Sequence, residues 1–173
     1  MSPAPADLVN AVELAGRAAT LERRVGLPQL PRLVEAGALA GTQVHVRLDF
    51  GTFEGRPTVA VRAAGEVFLA CQRCLKPCAC AVDETATLVV VARDTDEVPG
   101  GYEPLLGDPE RLSVAELIEE QVLLGLPLVP VHATAAECGA VAAALAADED
   151  QPAADEKQRP FANLRELLDK GNR

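Results

Sequence analysis

Hydrophobic and polar positions follow two different periods along this chain. In TQVHVRLDF, Val44, Val46, Leu48 and Phe50 fall on one side and His45, Arg47 and Asp49 on the other. That alternation is the period of a half-buried strand. PTVAVRAAGEVFLA (57–70) and CAVDETATLVVVAR (80–93) continue the pattern, and GTFEGR supplies a glycine-flanked turn between the first two runs. The strands follow one another through short connections, which predicts antiparallel pairing over residues 41–93. Further on the period lengthens. Val114, Leu117, Ile118 and Val122 make one helical stripe over 113–126, opened by a Ser113/Glu116 capping box and stopped by Pro127 and Pro130. Glu116, Glu119 and Glu120 read as its solvated face.

The flanking segments are less regular. Residues 1–40 read as a helical part, with short helices and connectors from residue 7 and a helix start offered by Pro28 or Pro31. The stretch 94–110, broken by Pro99, Gly100, Gly101 and Pro104, reads as an acidic surface loop. AVAAALAA (140–147) is Ala-rich and helix-compatible. Residues 148–158 have the composition of an acidic linker, and 159–173 that of a short C-terminal helix opened by Pro160. The fold expected is therefore α+β, an antiparallel sheet or partial barrel flanked by helices, in a single domain over 1–147.

Composition narrows the function classes. Hydrophobic residues make up 49%, aromatics only 3%, and Trp is absent, so the core rests on Val, Leu and Ala. So few rings leave little for base stacking. The net charge is −10, held entirely by the stretches 94–110 and 148–157, while residues 1–93 are near neutral. Such a balance attracts basic proteins more readily than phosphate. Arg73 and Lys76, with Arg23 and Arg24 upstream, are the residues placed to touch RNA phosphates; scattered surface bases are the plainer reading. No apolar run is long enough for a membrane span and no basic-then-apolar leader opens the chain, so a cytoplasmic location is expected.

Four of the five cysteines lie in CQRCLKPCAC, Cys71 to Cys80. In a reducing compartment they point to metal binding, thiol chemistry or burial rather than a disulfide framework. Cys71 and Cys74 have the C-x-x-C spacing that lets two thiolates share one ion from a tight turn. A redox pair of that spacing needs a helix N-terminus to lower the first thiol, and here the chain returns to a strand. Cys78 and Cys80 in the same loop would crowd four sulfurs together. A second pair from PVHATAAEC, His132 and Cys138, completes a Cys-Cys-His-Cys zinc set more comfortably. Zinc and plain buried thiols both remain open on these residues. No nucleophile–base set, phosphate loop or nucleotide fingerprint is present in the sequence, and the Glu119–Glu120 neighbours point in different directions on a helix, so the chain reads as a non-enzyme.

CQRCLKP after a strand, YEPL in the acidic stretch, LIEEQVLLGLPLVPVH with a following Cys, and a terminal RPFANL together resemble the bacterial YceD family of large ribosomal RNA subunit accumulation proteins. The resemblance implies a non-enzymatic role in the synthesis, processing or stability of large-subunit ribosomal RNA. It also implies binding to that RNA or to the assembling subunit. By position it marks Cys71, Cys74, His132 and Cys138, with Pro127, Pro130 and Phe161 as structural residues. Cys78 and Cys80 lie outside the family pattern. Gln121 stands where the pattern commonly has a third acid after the Glu pair. The reading is thus a cytoplasmic assembly factor with ribosomal RNA or a basic ribosomal protein as partner, zinc as the one candidate cofactor, and no membrane or small-molecule substrate. Its rival is a zinc- or thiol-dependent regulatory sensor.

Overall fold

The structure is a computed structural model, and it describes residues 8–93, 97–98 and 100–140. The Ala-rich stretch after Ala140, the acidic linker and the terminal helix with Phe161 lie outside the described residues. The elements in chain order are β1 (Leu8–Val9), α1 (Ala11–Gly16), β2 (Thr20–Gly26), α2 (Pro31–Glu35), β3 (Leu39–Phe53), β4 (Arg56–Ala70), β5 (Pro77–Val91), β6 (Glu103–Leu106), β7 (Leu112–Ser113) and α3 (Val114–Leu124). Single-turn 3-10 segments cover Leu27–Gln29 and Ala135–Cys138.

Five strands form one open sheet in the order β2-β3-β4-β5-β6, and β1 pairs with β7 in a small second sheet. The long strands β3, β4 and β5 are antiparallel neighbours, as the alternating runs predict. Val44, Val46, Leu48 and Phe50 are buried, and His45 and Arg47 are exposed. Val59, Val61, Val67 and Leu69 of β4 and Cys78, Cys80 and Val82 of β5 extend the same core. α1 packs on β3 and β4, and α3 on β5 and β4. With β2 and β6 at its edges among the described residues, the sheet is open and α+β in class rather than closed into a barrel.

Glu54 and Gly55 both have positive φ, +49° and +79°, between Phe53 and Arg56. This is the two-residue turn whose twist matches a hairpin. β3 therefore runs straight through Gly51, and the turn is shorter than GTFEGR suggests.

Two expectations are corrected. Thr20–Gly26 is not a connector between helices but the edge strand β2, paired along its length with Gln43–Asp49. The acidic stretch is not only a loop. Its Glu103–Leu106 part pairs parallel to Leu88–Val91, as a parallel neighbour joined by a long connection can.

α3 starts where the capping residues place it. Ser113 is its N-cap, and the hydroxyl accepts from the Glu116 N–H. The helix ends at Leu124 with Gly125 as C-cap, just ahead of Pro127. Its face assignment is corrected at one residue: Glu119 is only 3% exposed. α2 begins after Leu30, whose side chain cannot cap, and the Glu119 carboxylate accepts from the Leu33 N–H at 3.0 Å instead. Glu120 is exposed and pairs with Arg32 at 2.9 Å. Among the described residues no helix is long and apolar enough to cross a membrane.

Candidate metal centre

β4 ends at Ala70, and the chain turns through Cys71–Lys76 before β5 begins at Pro77. Three backbone features shape this turn. The Leu75 N–H donates to the Cys71 carbonyl at 2.8 Å and the Cys71 N–H to the Lys76 carbonyl at 2.9 Å. Leu75 adopts the left-handed region at φ +61°, a conformation unusual for a bulky residue, with its side chain exposed. The result is a knuckle that points Cys71 and Cys74 to one side.

The segment after α3 comes to meet it. The Gln72 N–H donates to the Pro130 carbonyl at 2.8 Å, and the Arg73 guanidinium donates to the His132 carbonyl at 2.6 Å. Thr134 and Glu137 then close a capping box around the 3-10 turn that carries Cys138. Sequence-distant residues are thereby brought together. The ligand atoms of Cys71, Cys74, His132 and Cys138 all lie within 4.8 Å of one another.

Their separations fit one ion. A tetrahedral zinc with its usual bond lengths places sulfurs about 3.8 Å apart and sulfur from nitrogen about 3.6 Å. Cys71 Sγ and Cys138 Sγ are 3.9 Å apart, Cys74 Sγ is 3.5 Å from His132 Nδ1, and Cys138 Sγ is 3.6 Å from the same nitrogen. Three thiols and one imidazole are a structural donor set, filling all four tetrahedral positions and leaving none for a substrate.

The surroundings also suit a thiolate. Burial alone would push the Cys71 thiol up, but the backbone N–H groups of His132, Arg73 and Cys74, with the His132 side chain, outweigh it and bring it down to about 5. Burial pushes the Cys138 thiol up to about 11, with Cys74 and Cys71 as close partners. Cys78 is pushed up to about 11 by burial and by Cys80 beside it. Cys78 and Cys80 sit on β5 with their side chains in the apolar core, outside the four-residue cluster. No disulfide links the cysteines.

The four basic residues singled out for RNA do not share a surface. Arg73 and Lys76 are exposed on the knuckle, and Arg73 is engaged with His132. Arg23 and Arg24 are exposed on β2, opposite Val46 and His45, and Arg23 donates to the Glu22 carbonyl. Arg24 aligns through His45 with Ala64 of β4. The knuckle starts beyond Ala70, about 20 Å further along the strand direction. What sequence reasoning missed here is the backbone: the donors around Cys71 carry no side-chain signal.

Residues 59–168 match the model of the family described as Large ribosomal RNA subunit accumulation protein YceD. The match takes in the strands β4 to β6, the knuckle, α3 and the second ligand pair. No solved structure matches the chain.

Proposed function

Because the chain belongs to the YceD family, we propose that it supports the accumulation of large-subunit ribosomal RNA as a non-enzymatic factor acting on the assembling subunit. The observation that carries this reading is the family match, which takes in the β4–β6 part of the sheet, α3 and the cysteine knuckle alike. The role of Cys71, Cys74, His132 and Cys138 in it is to hold zinc as a clamp. The clamp fastens the segment after α3 to the β4–β5 turn, and its closed donor set supplies folding free energy rather than catalysis.

A basic ribosomal protein is the favoured direct partner. Arg23 and Arg24 lie about 20 Å from Arg73 and Lys76 along the strand direction, and the net charge of −10 opposes phosphate. Crosslinking of the tagged protein in growing cells, with gradient sedimentation alongside, tests this. Co-sedimentation with large-subunit precursors, with crosslinks to ribosomal protein exceeding those to RNA, is the result expected. Sedimentation of the whole protein pool as free chain, without crosslinks to either, would overturn it.

A further inference from the structure

The outer side of α3 carries a feature that the zinc clamp does not use. Glu116, Leu117, Glu120, Gln121 and Leu124 form one wall of a cleft of about 1020 Å³. β6 and the chain leading into β7 form the other wall, with Leu88 and Leu105 contributing apolar floor. Leu106 and Leu124, 60% and 66% exposed, stand at its margins. A cleft of this size with apolar floor and polar walls is of ligand-binding dimensions.

Three observations identify the occupant. First, β6 is an edge strand among the described residues. The Gly107 N–H donates inward to the Val91 carbonyl, so the alternation of a parallel pair turns the Leu106 N–H and C=O outward, together with the Pro104 C=O. Second, Gln121 is 5% exposed and lines the cleft, yet its side-chain amide has no partner among the described residues. Its polar atoms are not sealed from the cleft, so the amide offers donors and an acceptor to whatever fills the space. An extended main chain supplies both at every residue. Third, the charge is uneven. Glu103, Asp108, Glu116 and Glu120 face Arg32 and Arg111, and Arg32 is already committed to Glu120. The remaining negative charge selects cationic side chains and disfavours a phosphate backbone.

We propose that this cleft binds an extended peptide segment that alternates apolar residues with Lys or Arg, hydrogen-bonded to the outward edge of β6 and to the Gln121 amide. The peptide chemistry stands on the cleft itself; its placement in a ribosomal protein rests on the function proposed above.

The experiment uses the full chain against overlapping synthetic peptides that tile the large-subunit ribosomal proteins, together with scrambled peptides of matched composition and an RNA oligonucleotide from the large subunit. Bound peptides are then titrated in solution against Gln121→Leu and the exposed Leu106→Asp, with Glu66→Gln as a control outside the cleft. Expected is binding of basic segments that each cleft variant weakens about tenfold or more, with the control and the thermal midpoint of Leu106→Asp unchanged. Cleft-dependent binding of scrambled peptides equal to that of ribosomal ones would sustain the cleft and overturn its ribosomal placement. Absence of peptide binding, or binding indifferent to both variants, would overturn the cleft whatever happens to ribosomal RNA in cells. Cleft-dependent binding of the oligonucleotide instead would replace peptide by RNA and equally overturn it.

Discussion

Cys71 and Cys78 are both buried thiols a few residues apart, and their surroundings give them opposite chemistry. Backbone N–H groups converge on Cys71 and favour its thiolate, whereas Cys78 faces apolar side chains and its neighbour Cys80, which keep it protonated. Cys74→Ser should therefore abolish bound zinc and cost ~3 kcal/mol or more of stability, read by metal analysis and thermal melts. Cys80→Ala should retain the metal and cost only about 1 kcal/mol, as expected for a small hydrophobe losing its sulfur. Zinc affinity should rise with pH through the neutral range. Cys138, held up to about 11, must lose its proton on binding, which gives about tenfold per pH unit for each proton released. A competition titration at several pH values checks this, and a flat profile would contradict it. Glu119 supplies a separate test. Glu119→Ala leaves the Leu33 N–H buried without an acceptor and should cost about 1–3 kcal/mol, while Glu119→Gln keeps an acceptor in place and should cost less.

At the scale of elements, what the sequence made legible was what its side-chain periodicity encodes. β3, β4 and β5 alternate over long runs because one face is core and the other solvent, and α3 announces itself by Ser113 and its stripe. β2 escaped because an edge strand needs few buried side chains: only Leu21 and Val25 give TLERRV an apolar signal. β6 escaped because EPLL is short and lies within a stretch rich in acids, glycine and proline. The members of the Cys71, Cys74, His132 and Cys138 cluster were readable from residue types and spacing. The inward turn of Glu119 was not, because it answers a need of α2 that is remote in sequence. Close approaches between elements are equally silent. A Cβ on Gly65 would sit 2.3 Å from the Gln43 carbonyl oxygen and 2.8 Å from Val44 Cα, beside the irregularity that separates Leu39 from Gln43 in the β3–β4 register. Gly65→Ala should force β3 away from β4 and cost roughly 1–3 kcal/mol, measured by denaturant titration.

Taken whole, the described residues form a sheet whose β4–β5 turn and post-α3 segment meet at the Cys71, Cys74, His132 and Cys138 cluster, with an acidic cleft beside α3. Chelation should thus lower the thermal midpoint of the wild-type protein by roughly 6–12 °C and leave Cys74→Ser unmoved. A sensor would instead keep its midpoint and change only its response to metal or oxidant. The account's central claim is the support of large-subunit ribosomal RNA, and the most direct test is the ratio of large- to small-subunit ribosomal RNA in cells depleted of the protein. The account predicts that the ratio falls on depletion and is restored by the wild-type chain, with Cys74→Ser restoring it poorly. A ratio unchanged by complete depletion would contradict it.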